Sequence, residues 1–340
     1  MKNVKINYLL LAIMVLSISF TSCRKDDGID QGVEEVPRSE QQPVDQAILD
    51  AYLASHYYNS GDFEGNPNPS MYDLVITELA DGESLPADHT MLVDDVETFE
   101  TNYDDQDYLY YILRLNQGGG EGSPNFTDDV RLNYEGSLVD DGQVFDSTAN
   151  PTEFDLAGLI PGWSRVIPEF NVAESYVVNG DGTVGYNNFG VGVMFLPSGL
   201  GYYSSGTNGI GPYKCLVFKF DLYQFEINDH DGDGIPSYFE NLDGDVDITN
   251  DDTDEDGISN FLDVDDDGDG VLTIDELMPN EYVIDTNMGE VEPTLAIGEY
   301  EIERTEATGI ITIKTVKIMD SNSDGMDDYL DEAIIINYNE

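Results

Sequence analysis

The sequence predicts an α+β protein: one antiparallel sheet closed on a short helix, followed by an acidic loop-repeat region with some β-structure. Three observations carry this reading. Alternating apolar and polar runs lie at both ends of the segment 107–227. "VRLNYEG" turns Val130, Leu132 and Tyr134 one way and Arg131, Asn133 and Glu135 the other, and "CLVFKFDLYQF" turns Leu216, Phe218, Phe220 and Leu222 to one side. The piece containing "SRVIPEF" lies between them and supplies the helix that such a sheet needs over its apolar face. Beyond Asn228 the composition changes abruptly, with nineteen Asp or Glu and no Lys or Arg in residues 229–276.

Length and charge narrow the functions. A chain of 340 residues with an apolar fraction of 40% can build more than one core. Its formal net charge of -57 excludes nucleic acid as a partner, because nothing could neutralise the phosphates. Cations are the expected partners, against the plainer reading of a solvated acidic surface.

At the N-terminus, Lys2 and Lys5 precede an apolar stretch from Tyr8 to Phe20 that is too short to span a bilayer and ends in small residues, as a secretory signal does. Phe20-Thr21-Ser22-Cys23 resembles the lipobox of bacterial lipoproteins, as found in the Bacteroidota. That resemblance implies a signal peptide over 1–22, lipid on Cys23, membrane attachment through it and an outer-membrane place in the cell envelope. The following "CRKDD" resembles the signal that sends such lipoproteins to the cell surface. With Cys23 lipidated, Cys215 has no disulfide partner; it reads as a small buried hydrophobe, against a reactive thiol.

Residues 23–42 read as a flexible tether and 43–106 as a helical and irregular extension. In the extension, Val44, Ile48, Ala51 and Ser55 fall on one face of an amphipathic helix, with Leu49, Tyr52 and Leu53 beside it and Ser39 or Asp45 as its cap. "DYLYYILRLN" then reads as a strand and "GGGEGSP" as a loop. The acidic repeats occupy 228–280, and a β-like region with one more Asp-rich loop occupies 281–340.

The single tryptophan, Trp163, could be a core filler or the floor of a site. Four ordered blocks decide between these readings: "VRLNYEGSLVDDGQVFDST", "FDLAGLIPGWSRVIPEF", "FLPSGLGYY" and "GIGPYKCLVFKFDL". Together they resemble the FK506-binding-protein (FKBP) type of peptidyl-prolyl cis-trans isomerase over residues 107–227. The resemblance implies a half-wrapped, five-stranded antiparallel sheet around a short helix, with a shallow aromatic pocket between. It implies Trp163 as the pocket floor, Ile160 offering its backbone N–H, and Tyr134, Phe145, Phe154 and Phe218 as aromatic walls. It also implies Asp146 beside the wall, Tyr202 as a hydroxyl donor and Ile210 as a flap aliphatic. Thr152 stands where a second wall Phe is usual, which implies a thinner wall. An extra stretch between Phe170 and Leu196 reads as a lengthened hairpin with its tip at "NGDG".

In the acidic segment, Asp229, Asp231, Asp233 and Glu240 fall at positions 1, 3, 5 and 12 of a loop with Gly234 at position 6. This spacing converges oxygen ligands on a hard cation. It recurs as Asp252, Asp254, Asp256 and Asp263, as Asp265, Asp267, Asp269 and Glu276, and more weakly as Asp320, Asn322, Asp324 and Asp331. Asp263 ends one loop and Asp265 begins the next, which leaves no room for EF-hand helices. The pattern instead resembles thrombospondin type-3 repeats, which implies structural calcium. Loss of calcium is then expected to destabilise 229–340 and spare the pocket.

The function expected from these readings is isomerisation of X-Pro bonds in proline-containing client proteins that are exported or displayed at the cell surface. The rival is a non-catalytic, calcium-stabilised surface module that grips proline-containing segments.

Overall fold

In the computed structural model, which describes residues 35–207 and 209–339, the alternation becomes a seven-stranded antiparallel sheet. Its strands are β1 (Glu97–Tyr103), β2 (Gln106–Asn116), β3 (Asp129–Leu138), β4 (Val144–Ser147) and β5 (Thr152–Asp155). A separate hairpin of β6 (Ser175–Val178) and β7 (Val184–Asn187) precedes the last two, β8 (Gly190–Leu196) and β9 (Leu216–Glu226). The order is β1-β2-β8-β9-β3-β4, with β5 also on β3, so the sheet is wider than the five strands expected. The signal segment 1–22 and Cys23 lie outside the described residues, which belong to the unit Pro37–Glu340 apart from Glu35 and Val36. No helix among the described residues is long and apolar enough to cross a membrane.

Both faces of the sheet are covered. On the inner face, Ile112, Leu132, Met194, Phe218 and Phe220 pack against helix α2 (Pro161–Val166), which Ile160 caps and Pro161 opens. On the outer face, helix α1 (Arg38–Ser55) lays Leu49 and Leu53 over Tyr111, Leu113, Val193, Phe195 and Val217. Tyr58, Leu74 and Leu92 extend the same cluster, which gives the irregular stretch 59–106 its purpose.

Helix α1 departs from expectation in three ways. It starts at Arg38, within the expected tether; Pro37 occupies the cap position; and Asp45 is buried mid-helix. Its packed side holds Gln41, Asp45, Leu49 and Leu53, whereas Val44 is half exposed. The buried polar groups explain the shift. Asp45 accepts hydrogen bonds from Ser198 N (2.8 Å), Ser198 Oγ (2.6 Å) and Gln41 Nε2 (2.6 Å), which ties α1 to the turn leading to Tyr202. Arg38 donates to Tyr108 Oη (3.0 Å) and Gly199 O (3.1 Å) at the same turn. Cys215 is buried, and burial pushes its thiol far up, so it is held protonated.

A second buried carboxylate pins the extension from the opposite side. Asp221 on β9 accepts from Ser70 Oγ and Met71 N, both at 2.7 Å, yet burial raises its pKa to about 6. A folded value above the ordinary carboxylate range means that its contribution to stability is fully present below that range and is lost as pH rises through about 6. Wild type minus Asp221→Asn should therefore gain roughly 2–3 kcal/mol of relative stability as pH falls from neutral through that window, read from paired denaturant melts. A pH-independent difference would refute this assignment.

The C-terminal strands β10 (Met278–Asp285), β11 (Glu299–Ala307) and β12 (Ile310–Lys317) form a second sheet in the order β10-β12-β11. Its Val316 packs with Ile235, Leu277 and Tyr329 from the acidic loops, so this sheet is the platform on which the loops sit.

Candidate functional site

A cavity of about 70 Å³ opens between α2 and β3, β4 and β9. Tyr134, Phe145, Asp146, Phe154, Ile160, Trp163, Tyr202 and Phe218 line it, so the fold brings together eight of the nine residues named from the sequence for the pocket. Leu159 is a further lining residue that the sequence reading missed; it belongs to the same "GLIPGW" block. A space this small accepts one compact ring.

Aromatic edges build the walls. Trp163, only 5% exposed, meets Tyr134 at 5.5 Å and 83° and Phe218 at 5.1 Å and 60° between ring centroids. Phe145 packs edge-on against Phe218, and Tyr134 against Phe154. The wall closes because residue 136 is glycine: a Cβ there would sit 2.6 Å from the Phe218 ring and 2.7 Å from Phe145.

Ile210 does not line the cavity. It is buried in the inner core and exchanges backbone bonds with Thr207 at 2.9 Å. Thr152 is exposed on β5, donates to Asn150 O and does not line the cavity.

Two donors are free at the cavity. Neither the Ile160 N–H nor the Tyr202 hydroxyl finds an acceptor among the described residues. Burial, with the charge of Asp146, pushes the Tyr202 hydroxyl up, so it stays protonated. Asp146 is itself fixed: its Oδ2 accepts from Tyr134 Oη at 2.5 Å and its Oδ1 from Ser147 N at 2.9 Å. No nucleophile or general base is needed for an arrangement that binds and orients.

The acidic loops repeat one hydrogen-bond pattern. The position-6 glycines Gly234, Gly257, Gly270 and Gly325 have φ of 97°, 97°, 95° and 97°, a conformation that favours glycine. Gly234 N, Gly257 N and Gly325 N donate to the first carboxylate of their loops, Asp229, Asp252 and Asp320. The residue after each glycine donates to the fifth, as Ile235 N does to Asp233 Oδ1 at 2.7 Å and Val271 N to Asp269 Oδ1 at 2.7 Å. Asp231, Asp233, Asp267 and Asp269 thus spend one oxygen on the backbone and turn the other inward, whereas Asp229 accepts from Gly232 N and Gly234 N with both of its oxygens.

The inward oxygens are orphaned. Asp231 Oδ2, Asp233 Oδ2, Asp252 Oδ1, Asp265 Oδ1, Asp267 Oδ2, Asp269 Oδ2 and Asp320 Oδ1 are buried without a partner. Three groups, Asp229–Asp231–Asp233, Asp252–Asp254–Asp256 and Asp265–Asp267–Asp269, each bring three ligand atoms within 4.8 Å of one another. The twelfth residues divide. Glu240 and Glu276 are buried with orphaned oxygens, whereas Asp263 Oδ1 accepts from Asp265 N. In the fourth loop Asn322 Nδ2 donates to Asp324 and Asp331, so an amide donor sits where the others carry a carboxylate.

Asp266 went unnamed in the sequence reading because position 2 of a loop ordinarily faces away. Here it is 1% exposed and groups with Asp233 and Glu240 of the first loop. Burial first, then neighbouring carboxylates, raises Asp233 to about 8, Asp266 to about 9 and Glu240 to about 11. Such a set is not stable as bare anions and fits a bound hard cation.

Comparison with known proteins bears on both halves of the chain. Residues 120–223 match the family model of FKBP-type peptidyl-prolyl cis-trans isomerase, and residues 230–292 match one described as BamM C-terminal. The peptidyl-prolyl cis-trans isomerase Mip of Coxiella burnetii is 31% identical over 33% of this chain and 42% of its own length. The FKBP-type 22 kDa peptidyl-prolyl cis-trans isomerase of Escherichia coli is 32% identical over 32% of this chain and 47% of its own. The chain thus spans less than half the length of either relative. A crystal structure of a peptidyl-prolyl cis-trans isomerase from Pseudomonas syringae aligns at 18% identity with a TM-score of 0.32, over 56% of this chain and 98% of that one. By family model and curated relatives alike, part of this chain, residues 120–223 in the family match, is similar to the FKBP-type peptidyl-prolyl cis-trans isomerases.

Proposed function

We propose that the protein is a lipid-anchored prolyl isomerase of the bacterial envelope that acts on proline-containing segments of exported or surface proteins, and that its acidic loops hold structural calcium. The observation that carries the isomerase reading is the aromatic cavity with two free donors and no reactive group. An X-Pro amide resists rotation by ~18–20 kcal/mol because its C–N bond is partly double. A dry cavity favours the twisted amide, which has lost charge separation, over the planar and well-solvated one. The floor of Trp163 takes the proline ring. The Ile160 N–H and Tyr202 hydroxyl orient the flanking carbonyls, and Asp146 holds Tyr134 in place.

A protease-coupled cis/trans assay on a short X-Pro peptide tests this reading, and no acceleration by the full chain would sink it. Within the assay, Tyr202→Phe should lower kcat/KM by about tenfold with unchanged melting, because one orienting donor is lost. An unchanged kcat/KM would remove Tyr202 from the mechanism.

The calcium reading rests on the orphaned carboxylate oxygens, repeated at equivalent positions. Asp229, Asp231, Asp233 and Glu240 would hold one ion, Asp252, Asp254 and Asp256 another, and Asp265, Asp267, Asp269 and Glu276 a third. The ion supplies charge neutralisation and takes no part in isomerisation. Calorimetric titration of the metal-free chain with calcium chloride tests it. The anchor is supported by the Cys23 sequence context, and labelled-palmitate incorporation lost in Cys23→Ala tests it.

A further inference from the structure

The segments that build the aromatic cavity have a second side. Behind α2 a cavity of about 170 Å³ separates Leu159, Pro161, Ser164 and Arg165 from a strap, Val246–Thr249, that joins the first and second acidic loops. Ile248 of the strap is 5% exposed. Arg165, 7% exposed, donates to Pro161 O at 3.0 Å and Thr101 Oγ1 at 3.1 Å, and the carboxylates of Asp245 and Asp247 act on its charge. Leu159, which lines the front cavity, therefore also faces the acidic region across the rear one.

A second contact lies at the cavity wall. His230 sits between Asp229 and Asp231 in the first loop, so the conformation of that loop dictates its position. Its Nε2 lies 3.3 Å from Asp155 Oδ2, its Nδ1 lies 2.7 Å from Ser237 Oγ, and Phe261 of the second loop meets its ring at 5.3 Å and 86°. Asp155 follows the wall residue Phe154 and, through Oδ1, caps the turn Leu156–Gly158 that leads to Leu159 and Ile160. Two loops thus converge on one residue at the edge of the cavity.

We propose that cation loading of the acidic loops sets the shape of the aromatic cavity, transmitted by His230 against Asp155 and by the Val246–Thr249 strap that bounds the rear cavity behind α2. This rests on the isomerase and calcium readings and adds regulation of that site. Without the cation, mutual repulsion among the carboxylates expands the loops, which withdraws the strap and His230 together. The wall at Phe154–Asp155 and the turn leading to Leu159 lose their support while the sheet, with its own core on both faces, stays folded. The expectation that calcium loss spares the pocket is replaced by one in which the pocket loosens.

Trp163 is the only tryptophan and lies in the cavity floor, so its emission reports on the pocket independently of activity. In the full chain, removal of calcium should red-shift Trp163 emission and increase its quenching by acrylamide, and calcium chloride should restore both at the stoichiometry seen by calorimetry. The kcat/KM on an X-Pro peptide should fall by about tenfold in parallel. The double variant His230→Ala/Ile248→Ala should still bind calcium by calorimetry but lose the Trp163 response.

Calcium binding with unchanged Trp163 emission in wild type would overturn the coupling alone, as would a full response in the double variant. Absence of binding overturns the calcium reading and the coupling with it. A Trp163 response in a chain without isomerase activity supports the coupling while removing the isomerase reading.

Discussion

Stripped of divalent cations at neutral pH, the full chain should lose the cooperative melting of residues 229–339 at a temperature roughly 20 °C or more below the calcium-loaded form. Each occupied loop contributes about 4 kcal/mol at a thousandfold excess over its Kd, and 1 kcal/mol shifts a domain of this size by about 4–8 °C. The pH dependence gives a sharper signature. In the metal-free fold, Asp233, Asp266, Glu240 and Glu276 have pKa values raised to about 8, 9, 11 and 9, chiefly by burial and then by one another. Groups raised in the folded state contribute stability that is fully present below the ordinary carboxylate range and is lost as pH rises through the raised values. The metal-free melting temperature of this region should therefore fall from acid to neutral pH. The loaded form should show the opposite slope, since a cation binds the deprotonated ligands. Differential scanning calorimetry across pH reads both curves, and parallel slopes would exclude the buried carboxylates as ligands.

The second large effect is expected at the cavity floor. Trp163→Leu should reduce kcat/KM by about ten- to a hundredfold while costing about 2–3 kcal/mol in stability. The ring contacts Tyr134, Phe218 and Phe220, so its loss opens the floor and loosens two walls together with the core ring Phe220. Thermal melts at the assay temperature separate lost catalysis from lost fold: the variant should remain folded, because Ile112, Leu132, Met194 and Phe220 maintain the inner core. Full activity in a folded Trp163→Leu would mean that the tryptophan is the core filler its isolation first suggested.

Much of the cavity was legible because its residues come in ordered blocks whose internal spacing fixes their side. Alternation on β3 and β9 places Tyr134 and Phe218 inward whatever surrounds the sheet. The acidic loops were legible for a related reason, since a twelve-residue loop with glycine at position 6 has one way to converge its oxygens. Legibility failed where a residue's neighbour comes from distant chain. Ile210 and Thr152 were placed by resemblance, yet the first packs into the inner core and the second is exposed on β5. The packed side of α1 was misjudged because Asp45 reads locally as a helix cap; its partner, Ser198, lies 153 residues away.

By itself the sequence determined the alternating strands, the aromatic set around Trp163, and the number and spacing of the acidic loops, since each depends on contacts within a few residues. Only the tertiary structure decided that the sheet is covered on both faces, that Asp266 joins Asp233 and Glu240, and that the strap at Val246–Thr249 faces α2 across a cavity. These are pairings between segments far apart in the chain, set by which surfaces pack once the chain has closed, and no local periodicity encodes them.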